Sequence, residues 1–502
     1  MSLLGVDIGT TGTKAVVFDL TGKVLADAYR EYPLIHPNPG WIELDSNAVW
    51  CLAKEAICEV VAEAGDGDPV SALSFSVQGE AVTPLDKEGK VLANAIVTFD
   101  NRTLPQSDWW AVTLGKERLF ALTGQPLHPM YTINKIMWWR DNAPEVFAEA
   151  RHFLCFGDLA LYRLGVAPLI DYSMASRTMA FDLQQKQWSE EILGMAQVSP
   201  DRLATPAPAG TVAGTISAEA AKELGLPANV KVIVGGHDQP CGALGSGILT
   251  GGEAVDATGT VECIAAAADE PVLTPAMLAG NHPCYHHVVP DKYISLAFNF
   301  TGGSLLRWYR DVLGSQEMEE ADTSGLDFYD ILIGKAAGSP SPLLLLPHFT
   351  VTGTPWFDSH SKGALVGLSL ATSKADIIKA MLEGITYEMR LNLDSLATAG
   401  LPVTSIRAIG GGAKSSTWMQ LKANIFNRPV SSLSVSEAAC LGAALLAGSG
   451  TGQYASLAEA VAQTIKITET VEPEAEVAAQ YEARYQLYRD LYPTLKDYLH
   501  RL

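Results

Sequence analysis

The chain of 502 residues predicts an α/β protein of at least two domains, on three observations. Strand-like apolar runs alternate with helical ones along its length. An apolar content of 48% against 18% charged residues suits large buried cores. A turn built from Asp, Thr and Gly near the N-terminus recurs halfway along, each copy set between apolar runs.

The first copy is Asp7-Ile8-Gly9-Thr10-Thr11-Gly12-Thr13-Lys14. Its glycines let the backbone bend close to an anion, its threonine hydroxyls can bond phosphate oxygens, and Asp7 can hold Mg²⁺ directly or through water. A plain hairpin loop fits the octapeptide alone equally well. Residues 3–8, 15–19 and 24–29, joined by this turn and by Thr21-Gly22-Lys23, predict an antiparallel meander. Asp45 and Ser46 then cap a helix whose Val49, Leu52, Ala53, Ala56, Ile57 and Val60 share one face and which Gly65 ends. Residues 72–77 and 95–99 read as further strands with polar residues at their ends, where a site would sit.

Residues 232–234 form an apolar strand running into Gly235-Gly236-His237-Asp238-Gln239. Asp238 would stand at the mouth of a sheet, where a carboxylate can take the proton of a substrate hydroxyl as it attacks phosphorus, and the paired glycines leave room for that substrate. A strand-end Asp bonding its own turn is an equal reading. His237, its neighbour on an extended chain, is expected to point away from Asp238. The glycine-dense stretch 242–252 marks the domain break, as a hinge or as close packing.

Beyond the break, Asp256-Ala257-Thr258-Gly259-Thr260 repeats the first turn, so one turn in each half could clasp a nucleotide. Neither G-x-x-x-x-G-K-[ST] nor a strand-linked G-x-G-x-x-G occurs, which argues against two commoner nucleotide folds. Residues 293–298 and 343–346 read as strands, 374–396 and 436–447 as helices. Phe300-Thr301-Gly302-Gly303-Ser304-Leu305-Leu306-Arg307-Trp308 and Ala408-Ile409-Gly410-Gly411-Gly412-Ala413-Lys414-Ser415-Ser416 each join a strand to a helix, and a helix N-terminus with bare backbone suits an anion or a flat ring. The tail from 474 to 502 predicts a helix docked through Tyr481, Tyr485, Leu487, Tyr488, Leu491 and Tyr492.

A formal net charge of −21 argues against nucleic acid and against an anionic membrane surface, since both would be repelled. ATP stays admissible, because Mg²⁺ and local N–H groups outweigh a distant field. Seven scattered cysteines without C-x-x-C spacing indicate neither a disulfide framework nor a zinc site, and point to a reducing cytoplasm. No basic leader and no uncharged run of about 18–20 residues predicts targeting or a membrane span. His282, His286 and His287 raise a metal hydrolase as a rival, but no H-E-x-x-H accompanies them, and core or surface histidines are the expectation.

Two longer patterns are more specific. Met130-Tyr131-Thr132-Ile133-Asn134-Lys135-Ile136-Met137-Trp138 fits one family signature at every place, and Gly363-Ala364-Leu365-Val366-Gly367-Leu368 followed by Asp376-Ile377-Ile378-Lys379-Ala380-Met381-Leu382-Glu383 fits the second, G-x-L-x-G-L, a spacer and D-[LI]-x-x-A-x-L-E. Through almost its whole length the chain resembles the FGGY carbohydrate kinases, which include glycerol kinase, xylulokinase and gluconate kinase. The resemblance implies two actin-like (ribonuclease-H-like) ATPase domains with an interdomain cleft: residues 1–245 binding sugar, and residues 250–502 binding nucleotide and ending in the helical tail. It implies ATP and Mg²⁺ as cofactors, a small sugar or polyol as partner, and homodimers among relatives. Asp7 then resembles the Mg²⁺ ligand. Thr10, Thr11 and Thr13, with Lys14 closing the turn, resemble the first phosphate contacts, and Thr260 the second. Gly303, Arg307, Gly412 and Ser416 fall where the family holds nucleotide, although Arg307 and Ser416 replace amide side chains of the glycerol kinases. Asp238 takes the general base's place, with Gln239 beside it.

The acceptor is written at Gln78-Gly79-Glu80, at Met130 and at Tyr131. Glycerol kinases have Gln-Arg-Glu at the first of these places and a Tyr where this chain has Met130, with Tyr131 one step later. The missing arginine is expected to enlarge the pocket, which favours a sugar or polyol of four to six carbons, a ketopentose such as xylulose first. Asp100 and Arg102 could reach its distal hydroxyls, or pair at the surface. The resemblance implies in-line transfer of the γ-phosphoryl of ATP to a primary hydroxyl. Glycerol, a tetritol or gluconate is the alternative acceptor, and a non-catalytic sugar or nucleotide switch on the same fold is the rival of another class.

Overall fold

In the computed structural model, which describes every residue except Asp66, Ala337 and Ser436, the meander forms as expected. Strands β1 (Ser2–Ile8), β2 (Gly12–Phe18) and β3 (Val24–Glu31) pair antiparallel, with Asp7 opposite Lys14. Helix α1 (Ser46–Ala64) packs on β2 and β3. Asp45 accepts the amide hydrogens of Asn47 and Ala48, and Gly65 ends the helix at a φ of 70°. Strand β4 (Val70–Val77) runs parallel to β1. Inserted helices α2 (Thr132–Asn142) and α3 (Tyr172–Arg177) precede β5 (Val212–Thr215) and β6 (Lys231–His237), which complete a sheet of order β5-β6-β4-β1-β2-β3. The register sets Ile8 beside Val77 and Val77 beside His237, so Asp7, Gln78 and Asp238 lie along one edge of the sheet. The strand expected over residues 95–99 is only Ala95–Ile96. It stops because Thr98 turns its hydroxyl to Gly79 and Glu80, and the Asp100 carboxylate accepts from the amide of Ile42.

Helix α4 (Asp238–Gly245) leaves β6 at once, so the first glycines of the expected break are helical. The second half repeats the plan: β7 (Glu253–Thr258), β8 (Glu262–Ala268), β9 (Tyr285–His286) and β10 (Tyr293–Asn299), then helices α5 (Gly303–Val312) and α6 (Lys374–Thr398). After these come β11 (Ser405–Gly410), α7 (Ser416–Phe426), β12 (Val430–Leu433), α8 (Ala438–Gly450), β13 (Ile467–Val471) and α9 (Ala475–Leu499). The order is β9-β10-β8-β7-β11-β12-β13, in which β7 and β11, like β1 and β4, are parallel. Position 436, expected to start α8, lies outside the described residues.

Helix α8 does not stay with its own sheet. It packs on β1, β4 and β6 and crosses α4, sharing a core of Leu3, Phe18, Ile233, Leu244, Leu441 and Leu445. Two glycines make this crossing close. A Cβ on Gly245 would collide with the carbonyl of Ala438, and one on Gly442 with the carbonyl of Cys241. Helix α9 docks through buried Tyr481, Tyr485, Tyr488, Leu491 and Tyr492, whereas Leu487, expected in that face, is 58% exposed. The signature Glu383 accepts hydrogen bonds from the Tyr481 hydroxyl (3.1 Å) and the Ser341 amide (3.0 Å), and signature Asp376 forms a capping box with Ser373 at the start of α6.

Candidate active site

The first turn is tight because the Gly9 amide donates to the Gly12 carbonyl at 2.9 Å and the Tyr32 hydroxyl lies 2.6 Å from the Gly9 carbonyl. Thr10 is half-buried and Thr11 exposed at its tip. Thr13, expected among the phosphate contacts, is instead buried, and its hydroxyl donates to the Asp7 carbonyl at 2.9 Å, bracing the turn. Lys14 also departs from expectation: its ammonium is committed to Glu437 (2.6 Å) and Asp27 (3.4 Å). Burial pushes the Asp7 carboxyl up to about 6, although the Ser76 hydroxyl donating to Oδ1 at 2.6 Å works against it, and the charge of Glu437 adds to the rise.

The second turn closes one residue sooner, with the Gly259 amide donating to the Val261 carbonyl at 2.9 Å. Thr260 is exposed. Its carbonyl accepts from the amides of Gly302 and Ser304, and Gly303 donates to Gly259 at 2.8 Å, so this turn and the start of α5 form one backbone surface. A Cβ at Gly303 would lie 2.7 Å from the Gly259 carbonyl oxygen, and one at Gly412 would lie 2.9 Å from the Thr258 Cβ. The three expected loops therefore meet. Ser416 is exposed in the first turn of α7, and Arg307 is exposed on α5 with no ion pair among the described residues. Beneath the turn, buried Lys422 bonds Asp256 (2.6 Å), Thr258 (2.6 Å) and Glu262 (2.7 Å). Asp256, the echo of Asp7, is therefore spent on structure.

On the acceptor side, the Gln78 amide donates to the Gly9 carbonyl at 2.8 Å, and its Oε1 is buried without a partner. Glu80 pairs with Arg177, which α3 brings across, and accepts from the Thr98 hydroxyl at 2.7 Å. The room that Gly79 was expected to open is occupied. A Cβ there would come within 2.8 Å of His237 Nε2 and 3.7 Å of Arg177 Nε. Arg177 also donates to Gln125 (3.2 Å), and its guanidinium lies over the rings of Tyr131 (5.2 Å) and Tyr285 (5.5 Å). Met130 lies with its sulfur 3.8 Å from the same guanidinium. Gln125 Nε2 and the Tyr131 hydroxyl, like Gln78 Oε1, are buried polar atoms without a partner among the described residues. Asp100 and Arg102 are neither pocket nor surface. They bond each other, Arg102 reaches Glu43 at 2.8 Å, and it stacks 4.0 Å over Trp41, so both are consumed in a buried knot.

Asp238 opens α4 with its side chain 30% exposed and Oδ1 buried without a hydrogen-bond partner. Burial first, then the charges of Asp7 and Glu80, push its carboxyl up to about 7. The Gln239 amide and Arg177 pull the other way. The Gln239 side chain itself is half-buried. His237 does not point away: because Asp238 is already helical, strand alternation ends and His237 Nε2 comes 3.2 Å from Asp238 Oδ1. Among the sequence's silent residues, Thr98, Gln125, Arg177 and Tyr285 belong to this cluster. None carries a local pattern that would have announced it. His282 bonds Ser395 (2.8 Å) and His286 bonds the Leu183 carbonyl (2.9 Å), both buried, and no group of three potential metal-ligating side chains occurs among the described residues. They are core histidines.

Two mixed sheets with parallel centres and antiparallel edges, each carrying an Asp/Thr/Gly turn between two of its strands, define a two-domain actin-like ATPase architecture. Residues 2–245 match the N-terminal domain and residues 255–451 the C-terminal domain of the FGGY family of carbohydrate kinases, and the chain belongs to that family. It is a sugar kinase. It is 29% identical over 496 residues to the xylulose kinase of Bacillus subtilis (strain 168), covering 99% of this chain and 97% of that one. It is 30% identical over 504 residues to the gluconokinase of Bacillus licheniformis, covering 99% and 96%. The crystal structure of the xylulose kinase from Rhodospirillum rubrum superimposes with a TM-score of 0.90 at 27% identity, covering 100% of both chains. No helix among the described residues is long and apolar enough to cross a membrane.

Proposed function

We propose that the protein transfers the γ-phosphoryl of ATP to a primary hydroxyl of a small sugar or polyol, a ketopentose such as xylulose first, with Asp238 as general base. The observation that carries this reading is the Asp238 carboxyl: partly open, with one oxygen unpartnered and its pKa pushed up to about 7, it suits proton acceptance near neutral pH. Asp7 would hold Mg²⁺, which takes one or two carboxylates and completes its shell with phosphate oxygens and water, and the raised pKa of Asp7 fits a place built for a cation. When bound, the ion would neutralise phosphate charge. Thr10, Thr11, Thr260 and the Gly412 amide would bind phosphates, with Gly303 supplying bare backbone beside them. Gln78, Gln125 and Tyr131, with unpartnered polar atoms, would bond sugar hydroxyls, while Glu80 and Arg177 would set the far wall.

The ketopentose preference is supported by the xylulose kinase relatives rather than by added room at Gly79. A second reading is another acceptor, gluconate, glycerol or a tetritol, of which gluconate is favoured by the gluconokinase relative. A coupled ADP-release screen over ketopentoses, pentitols, tetritols, glycerol and gluconate, ranked by kcat/KM, decides between them. Asp238→Asn should lower transfer by roughly 10²–10⁴-fold or more while ATP affinity stays within about twofold. Normal turnover in that variant would remove Asp238 from the role.

A further inference from the structure

We propose that His237 and Tyr285 position the carboxylate of Asp238, Tyr285 doing so by fixing which imidazole nitrogen carries the hydrogen. This rests on Asp238 being the base. The Tyr285 hydroxyl lies 3.0 Å from His237 Nδ1, and His237 Nε2 lies 3.2 Å from Asp238 Oδ1, so three side chains stand in a row. All of the His237 and Tyr285 atoms involved are buried.

A buried imidazole next to Arg177 stays neutral, because burial first and then that positive charge hold it well below the usual histidine range. It therefore carries one N–H. Burial likewise keeps the Tyr285 phenol protonated. Its hydroxyl can donate to Nδ1 or accept from it, and donation leaves the hydrogen on Nε2, facing Asp238 Oδ1. The other tautomer would set a nitrogen lone pair against a carboxylate oxygen that has no hydrogen-bond partner among the described residues. With the Nε2 hydrogen beside Oδ1 in a 3.2 Å contact that lies off the line of a hydrogen bond, Oδ2 is the oxygen left to receive the hydroxyl proton. Gly79 makes the arrangement feasible, since a Cβ there would sit 2.8 Å from Nε2. Tyr285 belongs to β9 of the second sheet, whereas His237 ends β6 of the first. The base is thus held by a residue from the opposite half.

The test uses the full-length enzyme with Mg·ATP and the best acceptor from the screen. Tyr285→Phe keeps the ring and removes only the O–H. It should lower kcat by roughly ten- to a hundredfold, with KM for ATP and acceptor within about twofold. His237→Leu should lose as much, whereas His237→Gln, whose amide can donate from the Nε2 position without a tautomer to choose, should recover most of the rate. In the His237→Gln background Tyr285→Phe should cost nothing further. The proposal is overturned if Tyr285→Phe lowers the thermal midpoint but leaves kcat intact, if Gln is no better than Leu, or if the two losses multiply. Should His237→Leu fail to fold, Tyr285→Phe alone decides. Asp238→Asn separates the failures. Normal turnover in it sinks the base reading, and an inactive Asp238→Asn beside an unaffected Tyr285→Phe sinks only the positioning.

Discussion

Glu80 holds a left-handed backbone at a φ of 62°, and two residues of the first signature keep it there: Thr132 and Lys135 donate to its carbonyl at 3.0 and 2.9 Å. The physical content of that signature is a brace behind the acceptor site. The Glu80 carboxylate in turn depends on Arg177, both side chains being almost wholly buried. Arg177→Met should leave the carboxylate buried and unpaired, costing about 3–5 kcal/mol in urea unfolding, and adding Glu80→Gln should restore most of that stability. An additive loss in the double variant would show that the pair is not coupled. This partnership was invisible in the chain, because Arg177 stands 97 residues from Glu80 and follows no motif. Reading Gly79 as empty space failed for the same reason: what fills a gap left by a missing side chain comes from elsewhere in the fold.

Elements with a strong period were legible. The meander, α1 with its Asp45 cap and Gly65 stop, and the tyrosine face of α9 follow from local spacing and capping chemistry. The strand at residues 95–99 was over-read because its length is set by the bonds of Thr98 and Asp100 to other segments. Glycine density over residues 242–252 signalled close approach without saying to what. The answer is the α4/α8 crossing, where Gly245 and Gly442 each face a carbonyl of the other helix. Gly442→Ala should therefore force the helices apart and cost about 1–3 kcal/mol in unfolding free energy, despite alanine's better helix propensity. A gain in stability instead would mean that the crossing is looser than its geometry.

Across the whole molecule, carboxylates exceed cations by 21 charges, and several are drawn into the site between the two sheets. Asp7 near the end of β1 and Asp238 just past β6, on either side of β4, are pushed up to about 6 and about 7 from 3.8, burial being the first cause in both. A carboxyl raised in the fold binds its proton more tightly folded than unfolded, so its contribution to stability is fully present below about 4 and is lost as pH rises through its folded value. At pH 8 the ligand-free protein carries Asp238 ionised against its neighbours' charges. At pH 5.5 the folded group is protonated, and much of that cost is gone. Asp238→Asn should accordingly raise the thermal midpoint of the ligand-free protein most at pH 8 and clearly less at pH 5.5, measured at equal ionic strength so that screening does not mask the difference. An equal shift at both values would mean that the carboxyl is not raised. The variant that gains stability is the one expected to lose phosphoryl transfer, which places the cost of the site where Asp7, Glu80 and Asp238 are held close with like charge.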